Sequence, residues 1–244
     1  VEEKTIVTGR NPVYEYLRES RPGSGLVLYI SEGAHGKIID EIISEAGKKK
    51  ARIIRKQKEY FSSHHPSSTH QGVILEITGD TVRLSQEGFL RQTAGKKGLL
   101  VLLDHLTDPH NVGSIIRSSE ALGADGVVIP RSGSAGITET VIKTSAGATA
   151  YLEILQAANT AAFIDAAKEA GFWVIGTSDR GEKDISDVRP YRPALIVIGS
   201  EGEGMRRLTA EKCDFLVKIP LRGKIPSLNA SVAAAIIIYE MMKE

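Results

Sequence analysis

Leu99–Leu103 is an unbroken run of apolar residues, closed by Asp104 and followed shortly by Pro109. No other feature constrains the fold as strongly. The run is far too short to cross a bilayer. A short continuous apolar run between turn residues reads as a strand buried on both faces, the kind found in parallel sheets covered by helices. The residues after it repeat the theme. Val112–Leu122 and Thr138–Ala146 read as helices, as does Thr160–Ala170, which Gly171 closes. Gly126–Pro130, Phe172–Gly176, Ala194–Ile198 and Phe215–Ile219 read as strands, and Ser227–Lys243 as a last helix with Ser227 as its N-cap. Alternation of this kind predicts an α/β fold built on a mostly parallel sheet.

The N-terminal part is a smaller α/β unit. Asn11-Pro12 opens an expected helix through Glu19, with Asn11 as N-cap. Ile38, Ile39, Ile42, Ile43 and Ala46 form the stripe of a helix over Lys37–Ala46 that Gly47 ends. Leu26–Ile30, Ala51–Ile54 and Gly72–Ile77 are expected strands. The predicted organisation is a first domain over 1–77, a weakly patterned linker over 78–97, partly helical, and a second domain over 98–244.

The single Cys213 rules out an internal disulfide and a cysteine metal site, which suits a reducing cytoplasm. His64, His65 and His70 lie close in sequence without cysteine or acidic ligands between them, so a metal is not expected there. Val1–Lys4 has no secretory-signal pattern. The formal net charge of +1 does not announce a polyanionic partner. Lys48–Lys58 does carry seven basic residues and no acid: Lys48, Lys49, Lys50, Arg52, Arg55, Lys56 and Lys58. By itself such a run reads as a solvated helix end followed by an exposed strand edge. The alternative is a phosphate-contacting patch.

Ligands of open parallel sheets bind beyond the carboxyl ends of the strands, and unusual residues gather at three such ends. The first stretch, Asp104–Arg117, contains Asn111, which a helix cap would explain, and Arg117, which either snorkels to solvent or presents a permanently charged fork to an anion. The second, Ile198-Gly199-Ser200-Glu201-Gly202-Glu203-Gly204, is neither a nucleophile elbow nor a P-loop. It is a tight turn or a loop for close ligand approach, and its glutamates suit a cationic centre better than phosphate. The third runs from Ile219 to Ser231 and leads into a helix that is apolar almost all round, fitting a deep core or a subunit interface.

Together these stretches, N-x-G-S-x-x-R-S, I-G-S-E-G-E-G and I-P-x-x-G-x-x-x-S-L-N-x-S, resemble the three motifs of the SpoU (TrmH-like) family of RNA ribose 2′-O-methyltransferases, in the SPOUT superfamily. The opening T-G-R-N-P-V and His70-Gln71-Gly72-Val73 extend the likeness to the first part, and that arrangement resembles the RlmB-type members, which methylate a guanosine of 23S ribosomal RNA. The resemblance implies a deep trefoil knot in the C-terminal domain, S-adenosylmethionine as cofactor, and a homodimer formed through that domain. It also implies an N-terminal domain like the small ribosomal proteins that bind RNA, and with this the basic run gains weight as RNA contact.

The resemblance further implies roles. Arg117 stabilises the ribose alkoxide or holds the neighbouring phosphate, since an arginine hardly deprotonates. Asn111 positions substrate or holds Arg117. Glu201 orients Arg117 or meets the donor. Ser227 and Asn229 hold the loop and the ribose. Gly199, Ile219 and Leu228 contact the donor, with Thr177, Ser200 and Gly202 beside them. His105 and His110 receive no role. Two other readings stay open: a tRNA ribose as target, and a non-catalytic RNA-binding protein of the same fold. A nicotinamide-dependent dehydrogenase is disfavoured, because no glycine fingerprint follows Leu103.

Overall fold

The computed structural model describes residues 5–19, 25–64, 70–78, 85–202, 204–224 and 227–243. Val1–Lys4, His65, residues 79–84 of the expected linker, Glu203, Ile225 and Pro226 lie outside the described residues. In chain order the elements are β1 (Thr5–Thr8), α1 (Arg10–Glu19), β2 (Leu26–Ser31), α2 (Lys37–Lys48), β3 (Arg52–Lys56), α3 (Lys58–His64) and β4 (Val73–Ile77). Then come α4 (Gln86–Gly95), β5 (Leu99–Asp104), α5 (Pro109–Ala121), β6 (Gly126–Pro130), α6 (Glu139–Thr144), β7 (Glu153–Ala157) and α7 (Thr160–Glu169). The chain ends with β8 (Trp173–Thr177), β9 (Lys183–Asp184), α8 (Ile185–Val188), β10 (Ala194–Gly199), α9 (Arg207–Glu211), β11 (Phe215–Lys218) and α10 (Ala230–Met242). Two compact units result: Val1–Arg83 with Ile137–Tyr151, and Leu84–Gly136 with Leu152–Glu244.

The first unit is a four-stranded sheet in the order β1-β4-β2-β3, antiparallel except for the β2–β3 pair. Val13, Leu17, Leu28, Ile30, Ile39, Ile42 and Leu75 form its core with the helices. Two helix ends differ from the sequence expectation. α1 begins at Arg10, with the Gly9 carbonyl accepting from Val13 N at 3.1 Å, so Asn11 and Pro12 lie in its first turn rather than capping it. Proline is tolerated there because the first-turn N–H groups have no intrahelical partner. α2 runs through Gly47. Lys50 takes the left-handed conformation (φ 57°), and Ala51 N closes the end on Ala46 O at 2.9 Å.

α6 belongs to this first unit, although the sequence reading groups it with the C-terminal part. Thr138 caps it by accepting from Val141 N, Thr8 Oγ1 donates to Glu139 at 2.8 Å, and Ile142 joins the first unit's core. A helical stripe shows that a face is buried, not against which core it is buried.

The second unit is a seven-stranded sheet in the order β7-β6-β5-β10-β8-β11-β9, and every recorded ladder in it is parallel. β5 and β10 are buried over all their residues, as unbroken apolar runs require. Within residues 78–97, Ser85 caps α4, which contributes Phe89 and Leu90 to the second unit's core. β7, with polar Glu153 and Gln156 around Ile154 and Leu155 and a half-buried edge position, has no sequence signal strong enough to announce it. Gly199 pairs with Asp104 and Val217 with Thr177, so the carboxyl ends of β5, β10, β8 and β11 form one rim. No helix among the described residues is long and apolar enough to cross a membrane.

Ile142→Ala is expected to cost the first unit roughly 2–4 kcal/mol through the cavity it leaves. Native-state hydrogen exchange should quicken at the β1 and β4 amides and stay unchanged in β5 and β10. Equal acceleration in both sheets would show that α6 does not belong to the first unit's core.

Candidate active site

The turn after β10 explains its own glycines. A Cβ on Gly199 would lie 2.3 Å from the Gly204 carbonyl carbon and from Met205 N, so no larger residue fits. Ser200 N donates to Gly204 O and Gly204 N to Ser200 O, both at 3.0 Å. Gly202 (φ 87°) and Gly204 (φ 69°) take the left-handed conformations that close the loop. This turn carries Glu201 at the rim.

Glu201 is where the three sequence motifs meet. Its Oε1 accepts from Asn111 Nδ2 at 3.1 Å, from Ala230 N at 3.0 Å, and from Asn229 Nδ2 in a short contact. Asn229 Nδ2 also donates to Asn111 Oδ1 at 3.0 Å, closing a triangle of side chains. Asn111 is nearly buried, so its amide needs these partners. Two cap expectations are corrected by this arrangement. Asp108, not Asn111, caps α5, accepting from His110 N at 2.9 Å, which leaves Asn111 free to face Glu201. Asn229, not Ser227, caps α10, with Oδ1 accepting from Ser231 N at 2.9 Å and Ser231 Oγ at 2.6 Å. The Glu201 carboxylate therefore sits at the positive end of α10, and its bonds are charge-assisted.

A second carboxylate holds the far side of the same turn. Asp104 ends β5 fully buried. Its Oδ2 accepts from Arg206 N at 2.9 Å, and its Oδ1 from Arg206 Nη2 at 3.1 Å, Arg206 Nε at 3.3 Å and His105 Nδ1 at 3.0 Å. Burial pushes the Asp104 carboxyl up, but the bonds from Arg206, His105 and Thr209 outweigh it and hold the group below its ordinary value. The glycine turn is thus pinned at Glu201 and again at Arg206. Sequence reasoning assigned neither Asp104 nor Arg206 a role. The available signal was an ionisable residue closing a wholly apolar strand, since a buried charge demands a partner.

Other predicted residues take distinct places. Arg117 is exposed on α5, about 9 Å along the helix from Asn111. Its side chain makes no hydrogen bond or ion pair with a described residue, so neither Asn111 nor Glu201 holds it. Thr177 ends β8, its hydroxyl donating to Val197 O at 3.0 Å. Ile219 follows β11 half-buried, while Ser227 and Leu228 are exposed just before α10. Burial pushes the Cys213 thiol up to about 12, which excludes it as a thiolate nucleophile at neutral pH. The rim therefore offers strand-end backbone groups, the exposed apolar Leu221 and Leu228, and the Glu201 carboxylate. That donor set fits a ligand with a flat apolar ring and a cationic centre.

Known proteins resemble this chain over nearly its whole length. Residues 98–239 match the SpoU rRNA Methylase family, and residues 6–82 match the RNA 2′-O ribose methyltransferase substrate-binding family. A TrmH family tRNA/rRNA methyltransferase of Staphylococcus aureus is 40% identical over 99% of this chain and 97% of its own length. The Bacillus subtilis protein YacO, of the same description, is 35% identical over all of this chain and 97% of its own. The SpoU methyltransferase AviRb of Streptomyces viridochromogenes, crystallised with AdoMet, superposes with a TM-score of 0.82 at 24% identity, over 98% of this chain and 89% of that one.

Glu201→Ala is expected to destabilise the protein by roughly 1–3 kcal/mol in urea denaturation, with Glu201→Gln costing less because one acceptor oxygen remains. A double-mutant cycle with Asn229→Ala should give clear coupling, and additivity would deny the shared carboxylate its role. For Asp104, a lowered pKa means stability that is present above the ordinary value of 3.8 and is lost as pH falls below it. The stability gap between the native protein and Asp104→Asn should therefore be full at neutral pH and close in acid. A gap independent of pH would count against the ion pair.

Proposed function

The chain belongs to the SpoU rRNA methylase family, and from that membership and the site's geometry we propose that it transfers a methyl group from S-adenosylmethionine to the ribose 2′-hydroxyl of a guanosine in large-subunit (23S) ribosomal RNA. One observation carries the reading: a single carboxylate oxygen of Glu201 joins all three motifs at the strand rim. The triangle of Asn111, Glu201 and Asn229 draws the three motifs to one place at the rim.

Gly199, Ser200, Gly202, Thr177, Ile219 and Leu228 are the residues that would hold the cofactor, which supplies an electrophilic methyl group on a sulfonium. The chain's own task is the nucleophile. A ribose hydroxyl is weak until its proton leaves, so the site must lower the cost of negative charge on that oxygen. Arg117 suits this role, being exposed, permanently charged and without a competing partner among the described residues. Its fork holds either the developing alkoxide or the adjoining phosphate. Asn111, Glu201 and Asn229 act through position. They fix α5, and with it Arg117, against the glycine turn. Ser227 and Leu228 are exposed just before Asn229, which supports a role for them toward ribose and cofactor. The knot implied by the family would hold these loops together.

The first unit supplies the grip on RNA, through cations that include Lys48, Lys49, Lys50, Arg52, Arg55 and Lys56. α10 supports a homodimer formed through the second unit. Val232 (47% exposed), Ile236 (39%) and Tyr239 (56%) make one apolar stripe, while Ala234, Ile237, Ile238 and Met241 fill the core on the other side. An isologous two-fold contact would cover that stripe.

The test is labelled methyl transfer to unmodified ribosomal RNA and, in parallel, to unmodified tRNA, with the product nucleotide mapped. Label on a 23S guanosine ribose is the expected result, and label confined to tRNA overturns the target. Arg117→Ala should keep cofactor affinity while kcat falls about 100-fold or more. Equal loss of binding and turnover would remove Arg117 from the chemistry.

A further inference from the structure

The first unit contains a cavity of about 630 Å³ that the methyl-transfer site does not use. It lies beyond the carboxyl ends of β2 and β3. Arg10, Ser31, Ala34, Lys58, Phe61 and His70 line it, together with Gly33, Gln71 and Gly72. Its volume suits one small organic ligand rather than a helix or a strand.

Its chemistry is selective. Among the described lining residues two are cationic and none is acidic. Arg10 Nε donates to Gln71 O at 3.3 Å, which holds the guanidinium at the cavity. Phe61 is fully buried and backs the His70 ring, with centroids 5.3 Å apart. His70 Nδ1 accepts from Gly72 N at 3.0 Å, so the ring is fixed by the backbone turn that Gln71 (φ 49°) and Gly72 (φ 75°) make. Gly33 is an exposed lining residue, and a Cβ placed on it would meet nothing within 4 Å, so a larger side chain can be accommodated there. A fixed, aromatic-backed ring beside two cations matches a ligand with a flat π-face and a phosphate.

The strand register also divides the basic run. Val27 pairs with Arg52 and Ser31 with Lys56. Lys56 and Lys58 therefore stand at the cavity end, while Lys48, Lys49, Lys50 and Arg52 stand at the other end, about 13 Å away. Lys48 is moreover paired with Glu45 at 2.6 Å. The run is not one continuous patch.

We infer that this cavity binds a single unpaired nucleotide of the RNA, with its phosphate on Arg10 and Lys58 and its base against His70. Sequence-specific RNA recognition favours unstacked bases laid on aromatic or histidine rings, and an arginine fork suits phosphate. The inference rests on the reading of RNA as substrate. The cavity end sets which RNA is held, and the Lys48–Arg52 end adds general attraction.

The test uses the full chain and unmodified large-subunit ribosomal RNA. Gly33→Leu adds bulk at the lining, and Arg10→Ala and Lys58→Ala remove the cations. Each is expected to weaken RNA binding about tenfold, with the loss in KM rather than kcat and cofactor affinity unchanged. The double variant Lys48→Ala with Arg52→Ala should cost less and mainly reduce the salt dependence. In amide NMR spectra, GMP, AMP, CMP or UMP should perturb Gly33 and Gly72 where inorganic phosphate alone does not. Unchanged RNA affinity in both Gly33→Leu and Arg10→Ala overturns the inference, as does an identical response to phosphate and nucleotides. Binding is measured without turnover, so a chain that binds RNA through this cavity yet transfers no methyl group would defeat the proposed reaction and leave the cavity standing.

Discussion

One carboxylate oxygen organises the second unit's rim. Glu201 Oε1 receives an amide from α5, an amide from the α10 cap and the first backbone N–H of α10. Three donors on one charged acceptor are worth more together than neutral pairs, because the negative charge is shared among groups that have few other partners. The position at a helix N-terminus adds the favourable field of the α10 dipole. Everything assigned to the site depends on this convergence. It sets the turn that carries Gly199, Ser200 and Gly202, the face that α5 presents, and the point where the last helix begins.

Asp104 supports that arrangement from beneath. It closes the most buried strand of the sheet and holds Arg206 through both backbone and side chain. The turn between Gly199 and Arg206 is therefore fixed at both ends by carboxylates of opposite exposure. Glu201 is open to the rim and available to a ligand. Asp104 is enclosed, and its charge is tolerable only because Arg206 and His105 meet it. A loop made almost entirely of small and polar residues gains a defined shape this way, without an apolar anchor of its own. Such preorganisation is what a cofactor loop needs, since a flexible loop would have to be ordered at the cost of binding energy.

The two units carry different chemical groups, along lines the chain order conceals. The first unit draws α6 from the middle of the sequence and gathers cations and a fixed histidine around a cavity. The second keeps the strand ends and the carboxylates. Positive groups that suit phosphate and negative groups that suit a sulfonium are thereby built on separate cores. Each core tolerates its own charges: the cations of the first unit lie on an exposed edge strand and at helix starts and ends, and the buried acid of the second is paired.

The sequence by itself determined the fold class, because continuous apolar runs such as Leu99–Leu103 and Ala194–Ile198 can be satisfied only between helices on both faces of a parallel sheet. It also carried the site's residue types, since Asn111, Glu201 and Asn229 stand in motifs whose order and spacing are specific. Their joint use was not legible. Asn111 looks like a cap from its place at a helix start, and Ser227 looks like a cap for the same reason. Only the tertiary structure decided that Asp108 and Asn229 do the capping, because a cap is chosen by which side chain reaches the open N–H groups once the chain is placed. The same limit hid Asp104 and Arg206, which are 102 residues apart, and the membership of α6 in the first core. Periodicity records that a face is buried. It carries no information about the partner that buries it, and long-range pairing of charges and cores is settled only when the whole chain has packed.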